Sequence, residues 1–230
     1  MEQIPNYLNI FFGLTTLFTI GIFYWAANQS KFTLIILLSW LILQFIIGTT
    51  GFYTITEGFP PRFLLLILPP FIFIIGLFST TKGLLFVDCL NIRTLTMLHV
   101  VRIPVEFVLY GLYVYKAVPE LMTFEGRNYD IISGLTAPII YYLGFVKKQL
   151  NTKILLIWNF ICLGLLFNIV VHAVLSAPFP FQLFAFEQPN IAFLYVPFNW
   201  LPSCIVPLVF LSHLASIRLL FNNKGNAFYM

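Results

Sequence analysis

Apolar runs about as long as a bilayer is thick recur along this chain from one end to the other. No polar region between them is long enough to fold as a separate domain. A spanning α-helix needs about 20 mainly apolar residues, because the hydrocarbon core is about 30 Å thick and a helix rises about 1.5 Å per residue. The runs read as seven helices, at about 8–27, 33–52, 62–79, 94–115, 131–146, 154–175 and 198–220. The expected fold class is an all-α integral membrane protein, with residues 1–230 forming one polytopic domain. The bundle would contain about seven transmembrane helices, several of them kinked by proline.

Composition gives the same answer independently. Only 9% of residues are charged, against about 25% in a soluble domain, so too few charges exist to cover a water-facing surface. Phe, at 27 residues, suits helix surfaces in lipid. The opening MEQIPNYLNI lacks a basic stretch, and no small-residue cleavage site follows the first apolar run, so no cleavable signal is expected. Cys89, Cys162 and Cys204 are widely spaced and form no CxxC pair; they read as inert apolar residues within or near helices.

The loop charges set an orientation. Lys31, Lys82, Arg93, Lys147, Lys148, Lys153, Arg218 and Lys224 fall on the side reached after helices one, three, five and seven. Only Arg62, Lys116 and Arg127 fall on the other side, together with Glu2, Glu57, Glu120, Glu125, Asp130 and Glu187. An excess of Lys and Arg marks the cytoplasmic side. Seven helices preserve this bias and an even number scrambles it, which predicts an outside N-terminus and a cytoplasmic C-terminus, with six helices plus a re-entrant segment as the main rival. The last apolar stretch, cut by Pro197, Pro202 and Pro207, is too long for one straight span. Part of 178–199 is therefore expected to be interfacial or re-entrant. The basic loops have no cluster beyond two adjacent lysines, so nucleic acid is not an expected partner. The lipid bilayer is, with a homo-oligomer or a larger membrane complex as further options.

Helix four carries the residues of most chemical interest, in LHVVRIPVEFVLYGLY. His99, Arg102 and Glu106 share one helical face, and Tyr110 continues it. A charge near the bilayer centre costs about 2.5–3.5 kcal/mol on insertion scales, so such groups face inward and pair. Arg102 and Glu106, one turn apart, are expected to pair with each other. Pro104 between them frees a carbonyl one turn earlier. His213 of the last helix has a depth similar to His99, so the two could meet across the bundle and, with Asp88 or Ser212, form a metal or proton site. Without HxxxH or HExxH spacing, they are a weak metal signal. Asn168 and His172 share a face of helix six. Glu57, Glu125, Arg127, Asp130 and Glu187 fall on the outer side, either as solvated loop charges with Asp130 capping helix five or, if they converge, as an electronegative mouth that attracts cations. The density of Gly, Arg, Asn and Asp in FEGRNYD predicts an ordered loop.

Prolines inside several spans predict an irregular bundle with an internal cavity. There is no P-loop, no GxSxG and no HExxH, and no cofactor is identified. Three functions fit these residues. One is a secondary transporter, channel or ligand-binding protein for a small ion or solute, with Glu106 as its carboxylate. The second is a membrane-embedded enzyme acting on a lipophilic substrate through His99, His213 and Glu106. The third is a structural or assembly subunit in which polar residues only set helix register.

Overall fold

A computed structural model describes residues 4–58 and 60–222; Glu2 and Lys224, counted above among the loop charges, lie outside the described residues. Every regular element among them is helical. The α-helices are α1 (Asn6–Ala26), α2 (Lys31–Thr49), α3 (Leu64–Ser79), α4 (Thr81–Asp88), α5 (Ile92–Leu98), α6 (Arg102–Val114), α7 (Ile131–Tyr141), α8 (Thr152–Leu175) and α9 (Val206–Phe221). Five stretches are long and apolar enough to cross a membrane: α1, α2, Ile92–Val114, α8 and Leu201–Phe221. Ile131–Val146 is shorter, and α3 reaches that length only together with α4, across a bend of 94°.

That bend has a local cause. The hydroxyls of Ser79 and Thr80 turn back to the carbonyls of Ile75 and Gly76, and extended Thr80 accepts from the Gly83 N–H at 3.2 Å, capping α4. The fold-back is tight: a Cβ on Gly83 would stand 2.3 Å from the Leu77 carbonyl oxygen. The short helix over 81–88 has no counterpart in the seven apolar runs.

The prolines reshape the other helices. Pro104 cannot donate to the Val100 carbonyl and its ring crowds it, and the chain tightens into a 3₁₀ turn at His99–Val101 between α5 and α6. The expected helix over 94–115 is therefore a continuous but uneven rod from Ile92 to Val114. Leu201–Ile205 is a wide π-type turn leading into α9. Pro207 leaves the Ser203 carbonyl without its helical donor, and the indole of Trp40 donates to it at 2.8 Å. Trp200 donates to the Leu41 carbonyl, and Asn199 to that of Gln44. These three bonds hold α2 against the start of α9, although α2 itself buries only Thr33, Leu41 and Gln44.

α1, the Ile92–Val114 rod and α9 enclose the main apolar core. At one end of the bundle Asn91 N–H donates to the Ala26 carbonyl, Arg218 pairs with Asp88, and Ile92, Phe145, Leu155 and Leu219 cluster. At the other end the connections 50–63, 115–130 and 176–199 fold over one another. The N–H groups of Ile191 and Ala192 share the Ala117 carbonyl, Gln188 donates to the carbonyls of Tyr113 and Val118, and Phe63 packs between Phe179 and Phe193. Segment 178–199 is thus an irregular cap containing one 3₁₀ turn, Ala192–Leu194. Below it, buried Tyr53 donates to the Gln44 side-chain oxygen, and burial pushes its phenol up to about 12, so it remains a donor.

Candidate functional site

Arg102 opens α6 and is buried. Its Nη1 donates to Asp130 Oδ1 at 2.7 Å, and its Nη2 lies 2.9 Å from His213 Nε2. Arginine has only donors, so this His213 nitrogen accepts, and Nδ1, 2.9 Å from Asn159 Oδ1, carries the ring proton. Asn159 in turn donates to the Leu155 carbonyl. His99 stacks on His213 with ring centroids 3.9 Å apart and meets Trp158 edge to face. Both His99 ring nitrogens, Arg102 Nε and Ser133 Oγ are buried without a hydrogen-bond partner.

This cluster corrects two expectations. Arg102 pairs with Asp130 across the 115–130 connection, not with Glu106 one turn along its own helix. Asp130 stands at the start of α7 but makes no capping bond, because its carboxylate is turned inward to the arginine. Asp88, considered beside the histidines, instead pairs with Arg218 at the opposite end. Among the described residues no group of three or more His, Cys, Asp or Glu is arranged to hold a metal ion. The three cysteines are unbridged; Cys162 and Cys204 are buried, whereas Cys89 is exposed rather than packed among apolar residues.

Glu106 lies one turn beyond Arg102 and is almost wholly buried. Asn128 donates to its Oε1, while Oε2 has no partner. The loop FEGRNYD brings Asn128 there by folding on itself. Thr123 receives the N–H groups of Gly126 and Asn128, Asn128 also donates to the Met122 carbonyl at 3.0 Å, and its Oδ1 accepts the Asp130 N–H. Gly126 is required by closeness: a Cβ there would stand 2.3 Å from the Glu120 carbonyl oxygen. Asn128 thus links the two acids, one bonded to arginine and one with a free oxygen.

Glu106, Asn128 and Asp130 line one side of a cavity of about 110 Å³. Its other walls are apolar, with Phe12, Phe63, Phe71, Phe193 and Phe198 contributing rings from α1, α3 and the cap. Asn190 is the one further polar wall residue, and its amide nitrogen donates to the Ala173 carbonyl. The cavity resembles many small-molecule sites in being concave and apolar with a few polar groups, but it is smaller than most of them.

The remaining candidates are dispersed. Tyr110 stacks on Phe124. His172 bonds to the Asn168 carbonyl and stacks on Phe184, and Asn168 donates to the Arg127 carbonyl, so this pair ties the end of α8 to the cap. Glu57, Glu125, Arg127 and Glu187 are exposed on the loops. His99, His213 and His172 do not line the cavity. Asn159 was absent from the sequence candidates, although an asparagine within the apolar run of α8 is the kind of residue that bonds across helices. Nothing in the sequence singled out the five phenylalanines, which look like any others in so aromatic a chain.

No curated protein and no solved structure matches the chain. Residues 63–221, from the start of α3 to the end of α9, match a family described as a domain of unknown function, DUF8737. That span holds Arg102, Glu106, Asn128, Asp130 and His213 together, and the chain belongs to this family.

Proposed function

We propose that this protein is an integral membrane protein crossing the bilayer seven times, and that it binds a small, largely apolar solute in the cavity headed by Glu106. The observation that carries the binding reading is that buried Glu106, whose Oε2 has no hydrogen-bond partner, belongs to the wall of a cavity lined mainly by apolar residues. A buried carboxylate oxygen without a partner costs roughly 1–3 kcal/mol or more, a cost that a bound solute offsets. Binding is the part of a transporter, channel or binding-protein role that the cavity supports. The histidines of the enzyme alternative stand off it.

Membrane insertion is supported by five long apolar helices and by the broad apolar exposure of α2, where Phe32, Ile35, Ile42 and Ile46 face outward. The two short helices, of about 24 Å each, fit a bilayer that thins locally beside longer neighbours. Lys31, Lys82, Arg93, Lys147, Lys148, Lys153 and Arg218 occur in or beside connections at the end where Arg218 meets Asp88, which favours a cytoplasmic position for that end.

The Arg102 cluster supports a separate, structural role. Its groups pair with one another across α6, α7, α8 and α9, as polar residues that fix helix register do.

The test is solvent extraction and mass spectrometry of small molecules retained by purified wild type and by Ala173→Leu, which fills the cavity from α8. A solute retained by wild type and depleted in the variant, at unchanged thermal stability, is the expected result. Identical extracts from the two proteins would defeat the binding reading.

A further inference from the structure

Resting on that reading, we infer that the solute is a small hydrophobic amine whose nitrogen pairs with Glu106. The polar groups of the cavity wall are complementary to a donor. Asn128 uses both amide hydrogens, on Glu106 Oε1 and the Met122 carbonyl, and Asn190 gives one of its two to the Ala173 carbonyl. The Asp130 carboxylate is neutralised by Arg102. What remains without a partner is Glu106 Oε2, and no protein cation pairs with it: Arg102 is held by Asp130 and His213 and does not line the cavity. A carboxylate or phosphate solute would meet two acids in the wall, Glu106 and Asp130. An amine supplies the partner that Glu106 lacks.

The proton balance is simple, since an ammonium entering onto a carboxylate and a free amine entering onto a carboxylic acid give the same complex. The walls set the rest of the molecule. An apolar cavity of about 150 Å³ holds benzene, so about 110 Å³ admits a body of roughly four to six heavy atoms. Aromatic rings in the walls favour a cationic head further, through their negative faces.

The experiment is isothermal titration of the purified protein in detergent with n-butylamine, n-butanol and n-butyrate, which share one apolar body and differ in the head. The amine should bind about tenfold to a hundredfold tighter than the alcohol, the range of a charge-assisted hydrogen bond, and butyrate should not bind. Glu106→Gln should erase the lead of the amine, and Ala173→Leu should weaken amine and alcohol together. Equal binding of amine and alcohol in wild type overturns the amine inference while leaving the solute site standing. An amine preference that survives Glu106→Gln overturns it too. If none of the three probes binds wild type, the site reading fails and this inference with it. The wild-type series is decisive even where the glutamine variant does not fold.

Discussion

Arg102 donates to Asp130 at 2.7 Å, a partner 28 residues further along the chain, while Glu106 on its own helix goes without a cation. This choice divides the buried charges into a closed cluster and an open carboxylate. Removing one member of a buried pair strands the other, at a cost of about 3–5 kcal/mol, whereas replacing both by apolar groups is often close to neutral. Arg102→Leu should therefore lower the unfolding temperature steeply, and Arg102→Leu with Asp130→Leu should recover much of the loss. Scanning calorimetry in detergent measures both; a double variant as unstable as the sum of its single variants would contradict the pairing.

His99 offers a contrast within the same cluster. Its ring stacks on His213, but neither nitrogen has a hydrogen-bond partner. His99→Phe keeps an aromatic ring in place and removes two buried polar atoms, so stability should change by less than about 1 kcal/mol or rise. Retention of the cavity-bound solute by this variant is also expected. Its loss would draw His99 into the functional site.

Asn128 connects loop order to Glu106. Asn128→Ala removes bonds to Glu106 and to the Met122 carbonyl, and should cost roughly 1–3 kcal/mol. Gly126→Ala should have a similar effect through a different cause, the 2.3 Å approach to Glu120. Gly164→Ala, where a Cβ meets nothing within 4 Å, is the control and should be neutral. Solute retention should fall in the first two variants alone. Equal stability of Gly126→Ala and Gly164→Ala would show that the loop conformation is not demanding.

Cys89 tests the orientation. It is exposed at the end of α4, while Cys162 and Cys204 are buried. A membrane-impermeant maleimide should label Cys89 only after cells are permeabilised, because the proposed orientation has it on the cytoplasmic side. Labelling of intact cells would reverse the proposed orientation.

The long helices were legible because apolar length is a property of a contiguous segment. Shared helix faces were legible too, since spacing alone puts His99, Arg102 and Glu106 in line. The partners of those residues were not. Local spacing favours an Arg102–Glu106 pair, but the fold of FEGRNYD presents both Asn128 and Asp130, and Asp130 takes the arginine. The fold-back at Gly83 was hidden for a related reason: its geometry depends on a close approach to Leu77, and the sequence there reads as a loop. The cavity was expected only in general from the prolines. Its walls combine side chains from α1, α3, α6, α8 and the cap, and no one-dimensional pattern records that convergence.

The most direct measurement of the central claim is native mass spectrometry of gently purified wild type beside Glu106→Gln, with thermal stability recorded for both. The account predicts a retained small molecule on wild type, its absence from the variant, and closely similar unfolding temperatures. A clean apo mass for both proteins, with the variant merely less stable, would contradict it and leave Glu106 a structural residue.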